Sequence, residues 1–136
     1  MYLDKESFWQ AAKQLPAEEV TLVDPHGREV GKIRMRGLTA AELEEYQQSL
    51  QVSGKGGRPG VSYRNAMSRL VAMSAVNEDG TPFFSKTDQA RLAEAPSWML
   101  MQLFESACRL SGMTENDVKE LAGNFDETPG EPSSSG

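Results

Sequence analysis

Few residues in this chain could do chemistry. His26 is the only histidine and Cys108 the only cysteine among 136 residues. A Ser-His-Asp or Cys-His arrangement would have to use His26 together with a partner carboxylate in one pocket. His26 falls in Asp24-Pro25-His26-Gly27, which has turn chemistry. Metal sites built on two histidines or on a cysteine cluster are excluded, and so is an internal disulfide. Gly54-Lys55-Gly56-Gly57 offers glycines and a lysine to a phosphate, but it lacks the spacing of a phosphate-binding loop and no apolar strand leads into it. Asn77-Glu78-Asp79-Gly80 is similar to the start of a calcium loop, yet the spaced oxygen ligands and the closing glutamate do not follow. The expectation is a protein that is not an enzyme, with no catalytic residues, no cofactor and no metal.

Composition sets the wider limits. Hydrophobic residues make up 38%, charged residues 25% and aromatics 7%, and the mean hydropathy is -0.52. These values fit one soluble domain large enough to bury a core. No run approaches the ~20 apolar residues of a spanning helix, so no membrane role is expected. The opening MYLDKESFWQ carries acids at once, unlike a secretory leader. A reduced cytoplasm suits the single cysteine. A net charge of -6 argues against general nucleic-acid affinity.

The pattern along the chain predicts an α+β fold, mainly α, with an N-terminal β-hairpin followed by four to five helices. Residues 1–125 form one domain: the hairpin at 18–37, a flexible Gly-rich linker at 52–60 and a helical part at 61–125. Before the hairpin, residues 1–15 read as a short helix capped by Asp4, with Phe8, Ala11, Ala12 and Leu15 on one face. In the second strand Val30, Lys32, Arg34 and Arg36 alternate with Gly31, Ile33 and Met35, giving a basic face and an apolar one. Thr39-Ala40-Ala41-Glu42 is a capping box. It opens a helix with a narrow seam of Leu43, Tyr46 and Leu50. Residues 63–76 place Tyr63, Ala66, Met67, Leu70, Val71 and Met73 on one face, with Arg64, Asn65, Ser68 and Arg69 opposite. Residues 97–111 are the strongest helix. Leu100, Leu103, Phe104, Ala107, Cys108 and Leu110 span about 200° of its surface against the ~100° of a surface helix. Gly112 stops it, and Thr114 to Asp117 cap a last helix with Val118 and Leu121. The acidic tail 126–136 is Asp, Glu, Thr, Pro, Gly and Ser, a composition expected to be disordered.

The order of these segments resembles the tail assembly chaperones of long-tailed (siphovirus-like) bacteriophages. The resemblance covers most of residues 18–125. It rests on the Leu38-Thr39-Ala40-Ala41-Glu42 helix start and the Gly-rich segment. It rests further on the turn Asn77-Glu78-Asp79-Gly80-Thr81-Pro82-Phe83-Phe84, the short helix Thr87 to Glu94, and the run from Arg109 to Leu121 containing Leu110-Ser111-Gly112-Met113-Thr114-Glu115. The family implies a host-cytoplasmic protein that binds the tape measure protein and keeps it soluble while the tail tube polymerises, and that is absent from the finished virion. It implies a second partner, the tail tube protein, recruited through a longer product made by a ribosomal slip. Homo-oligomerisation is left open.

A tape-measure client offers an amphipathic helix, and seven methionines among 136 residues suit an adaptable apolar surface. Phe83, Phe84, Trp98, Met99 and Met101 are the candidate partner-binding residues. Two other readings stand beside this one. A structural tail-completion or connector protein would remain in the virion. A small nucleic-acid-binding regulator would use Lys32, Arg34 and Arg36 with Arg58, Arg64 and Arg69.

Overall fold

Asp4 caps the first helix, α1 (Lys5–Ala12), by accepting the Ser7 N–H at 2.8 Å. The expected hairpin follows as β1 (Ala17–Val23) and β2 (Glu29–Arg36), which run antiparallel. Asp24 builds its turn: Oδ1 accepts the N–H groups of His26 and Arg28, both at 2.9 Å, and Gly27 takes a φ of +85°. Val20 pairs with Ile33 and Leu22 with Gly31, so these side chains and Met35 share one face, while Thr21 and Glu19 lie opposite Lys32 and Arg34 on the other. The basic row is not all free. Arg36 grips Glu42 through two hydrogen bonds of 2.8 and 2.9 Å, and Glu42 belongs to the capping box that opens α2 (Ala40–Ser49). Gly37 is where the chain passes beneath the fifth helix. A methyl there would overlap the Leu110 carbonyl. Gly37→Ala is expected to cost about 1–3 kcal/mol in denaturant unfolding, because backbone and not a mobile side chain must give way.

The linker expected at 52–60 is instead a small hairpin. Its strands are β3 (Gln51–Ser53) and β4 (Pro59–Val61), joined by a tight turn at Lys55–Gly57. Gly56 and Gly57 adopt φ of +72° and +77°, which glycine alone takes without strain. The glycines therefore close a turn here, where composition alone suggested a mobile joint.

Next come α3 (Ala66–Ser74) and a short strand, β5 (Ala75–Val76), that joins β2 to give a sheet of order β1-β2-β5. The polar face expected on α3 is only part solvated. Ser68 and Ser74 are buried, and the Ser68 hydroxyl donates to the Asn65 carbonyl at 3.1 Å. α3 is thus buried around much of its circumference and shares the centre of the core with the fifth helix. The computed structural model describes residues 1–63 and 65–126, without the side chains of Lys55, Pro59 and 122–126. Arg64 and the tail expectation for 127–136 lie outside the described residues.

Three helices complete the fold: α4 (Asp88–Leu92), α5 (Ser97–Leu110) and α6 (Glu115–Asp126). Gly112 ends α5 at φ +75°, and the Met113 N–H reaches back to the Cys108 carbonyl at 3.0 Å. The Thr114 hydroxyl and Asp117 carboxylate cap α6 reciprocally. Met35, Tyr46, Met67, Leu70, Val71 and Phe104 form the buried centre. The chain is α+β and mainly helical, with the hairpin near its N-terminus and five α-helices after it among the described residues.

Candidate functional site

The site is a groove where α5 parts from the sheet. The C-terminal half of α5 is clamped to β1. Arg109 makes paired hydrogen bonds of 2.7 and 2.6 Å to Glu18, and Ser106 donates to the same carboxylate at 2.6 Å. In mid-helix the Gln102 side chain acts as a strand partner. It accepts the Val23 N–H at 3.0 Å and donates to the Val23 carbonyl at 2.8 Å, satisfying one stretch of the sheet edge. Beyond Gln102, among the described residues, no such clamp ties the first turns of α5 to the sheet, and a cavity of about 370 Å³ opens between them and the turn end of the hairpin.

Met99, Leu100 and Leu103 form the helical wall, and Leu22, Val30 and Ile33 the sheet wall. Val30 is there because the ladder has a bulge. Leu22 pairs with Gly31 and Val23 with Glu29, which leaves Val30 as the extra residue. The other side comes from the turn after β5. Asp79 accepts the Thr81 N–H and hydroxyl at 3.0 and 2.7 Å, and the Asn77 amide donates to Thr81 and Pro82. This self-contained turn returns the chain so that the Phe83 N–H reaches the Ala75 carbonyl at 3.1 Å. Phe83 and Phe84 then stand edge to face, with centroids 4.9 Å apart, beside Leu92 and Ala95. Lys32 is the one charged residue in the lining.

Of the five residues expected from the sequence, Phe83, Phe84 and Met99 meet in this groove. Trp98 and Met101 do not line it and are partly buried against the core. At about 100° per residue, Met99, Leu100 and Leu103 share one arc of α5, and Trp98 and Met101 each lie about 150° from its centre, so they point away from this wall. The hairpin's share was missed. Its only trace in the sequence is Val30, an apolar residue in the otherwise basic row of Lys32, Arg34 and Arg36.

The remaining chemistry lies elsewhere. His26 is exposed in the hairpin turn. Cys108 is buried in the core, and burial pushes its thiol up to about 12, so it stays protonated and unreactive. Among the described residues no helix is long and apolar enough to cross a membrane. The Leu43, Tyr46 and Leu50 seam is mostly closed. Tyr46 and Leu50 are buried, and the Tyr46 hydroxyl donates to the Ala66 carbonyl at 2.8 Å.

The clamp that ends the groove is sensitive to acid. The Arg109 hydrogen bonds, then the Ser106 hydroxyl, hold the Glu18 carboxyl down at about 2. Arg36 does the same for Glu42, also to about 2. Both folded values lie below the ~4.3 of a free glutamate. Their stabilisation is therefore complete above that pH and is lost as pH falls toward 2. With each carboxylate about one-third exposed, solvent screening limits the loss to about 1 kcal/mol each. Urea unfolding at pH 7 and pH 3 should show this loss, and Glu18→Gln should remove its share of the difference.

Compared with known proteins, the chain matches no family model, no curated protein and no solved structure.

Proposed function

We propose that this protein is a phage tail assembly chaperone that holds an exposed amphipathic helix of the tape measure protein until the tail tube encloses it. The observation that carries this reading is the groove itself. It is open, almost wholly apolar and lined by two phenylalanines and a methionine, side chains that adapt to an irregular helical surface. The order of the sequence motifs gives the same direction. The turn from Asn77 to Phe84, one of the motifs on which the resemblance rests, is the element that supplies one side of the groove. The proposed setting is the host cytoplasm, with the tail tube protein as second partner through a longer product.

Co-expression with the tape measure protein of the same phage is the test. The client should move from the pellet into the soluble fraction and co-purify with the chaperone. Mass spectrometry of purified particles should find none of this chain. Its presence in virions would favour the structural reading. A client that stays insoluble would overturn the proposal.

A further inference from the structure

The turn end of the hairpin is tied to the helices at one point. The Asp24 N–H donates to the Arg28 carbonyl at 2.8 Å, so the alternating ladder turns the N–H and carbonyl of Val23 to the outside of the sheet. The Gln102 amide takes both, at 3.0 and 2.8 Å. Among the described residues no other hydrogen bond and no ion pair joins residues 23–30 to a helix. Residues 25–30 are exposed throughout.

This end is built to move as one piece. Its turn is closed on itself: the Asp24 backbone pairs with Gly27 and Arg28, and its carboxylate accepts the N–H groups of His26 and Arg28. Behind the turn lies the bulge, where Val30 has no partner on β1 and the ladder is interrupted. Gly31 follows, with no side chain to pack and open space where one would stand. On the facing side α5 is fixed, because the Glu18 carboxylate holds Ser106 and Arg109. A rigid tip, a weak point behind it and a single fastening in front are the parts of a hinged flap.

We infer that the Gln102 amide is a latch that sets the width of the groove. Latched, Val30 stands on the sheet wall across from Met99. Released, the tip turns outward about the bulge and takes Val30 with it. Leu22 and Ile33 stay behind, since Leu22 is buried and Ile33 is paired with Val20 inside the regular ladder. The cavity then widens at its hairpin end alone, and bulkier apolar side chains can enter there. Opening is cheap enough to reverse. Val23 is exposed, so water can take the place of the amide. Two neutral hydrogen bonds then favour the latched position by only roughly tenfold to a hundredfold. As a control on client entry the latch rests on the function proposed above; as a moving part it does not.

Pulsed electron spin resonance on the full chain, with no client present, tests the latch. Spin labels on His26→Cys and Glu105→Cys, both at exposed positions, report the tip against α5, and the buried Cys108 stays unlabelled. With Gln102 intact the two labels should give one narrow distance distribution. Gln102→Leu keeps most of the bulk without either bond. It should add a longer component, whose share rises roughly tenfold or more over that in the parent. Gln102→Glu still accepts the Val23 N–H but cannot donate to its carbonyl, and should fall between. Glu18→Gln loosens the other clamp and should leave the distribution narrow. A Gln102→Leu distribution as narrow as the parent's would overturn the inference. So would a parent that is already as broad, or equal broadening by Glu18→Gln. Should Gln102→Leu fail to fold by circular dichroism, Gln102→Glu decides by the same criterion. A failure here leaves the client reading standing, and a client that stays insoluble in co-expression leaves the latch standing.

Discussion

Replacing Phe104 with alanine should remove a large part of the protein's stability. The side chain is fully buried on α5, in the core that α3, α5 and the sheet share. Deleting its ring loses the transfer free energy of the aromatic carbons and leaves a void that close-packed neighbours fill only in part. Such changes cost roughly 3–5 kcal/mol, against a total stability of about 5–15 kcal/mol for a domain. A fall in melting temperature of roughly 10–20 °C follows for a chain of this length. Urea unfolding followed by circular dichroism gives the measurement. Val52→Ala serves as the contrast: Val52 is 46% exposed on β3, and its loss should stay within about 0.5 kcal/mol. A Phe104→Ala cost below about 1 kcal/mol would mean that α5 is not the packed centre described above.

Phe104 was legible as core from spacing alone, because an apolar arc of that width on one helix must find two neighbours. The same holds for the hairpin, whose period-two runs flank an Asp-Pro-His-Gly turn, and for both capping boxes, where a threonine and an acid three residues on state their geometry directly. What failed to show had physical causes. Glycine-rich composition does not distinguish a chain free to move from one forced into positive φ, and 52–60 proved to be the second kind. Ser68 reads as surface by polarity, yet a small hydroxyl fits where α3 has neighbours on several sides. Phe8, Ala11 and Ala12 formed a proper apolar face, but periodicity says only that a face exists, not that the same chain covers it.

The groove shows the same division at finer grain. Met99 could be placed by its position on α5, and the two phenylalanines by the turn that precedes them. Trp98 was a surface candidate at the start of α5, but it lies about 150° round the helix from the centre of the Met99, Leu100 and Leu103 wall. Val30 depends on a bulge, and a bulge is set by how two strands meet rather than by either strand's own sequence.

Charging the groove should abolish client retention without unfolding the protein. Met99→Asp places a carboxylate on the helical wall, and Phe83→Asp places one on the opposite side, where the native ring is 45% exposed. In the unbound protein both carboxylates can reach water, so the melting temperature should drop by only a few degrees. With an apolar client helix seated, that water is excluded and the charge has no partner. The cost is at least about 2 kcal/mol, or roughly 30-fold in affinity. Co-expressed tape measure protein should then return to the pellet. Met99→Leu should keep it soluble, because that change conserves volume and polarity. Phe8→Asp with Trp9→Asp should keep it soluble too, since those residues do not line the groove. If folded Met99→Asp and Phe83→Asp proteins both still hold the client in solution, the client surface is not this groove. The next candidate is the second cavity, of about 330 Å³, where Gln47, Leu50 and Gln51 face Met113 and Asp117. Its mixed lining suits a helix with a mixed face rather than a bare apolar one.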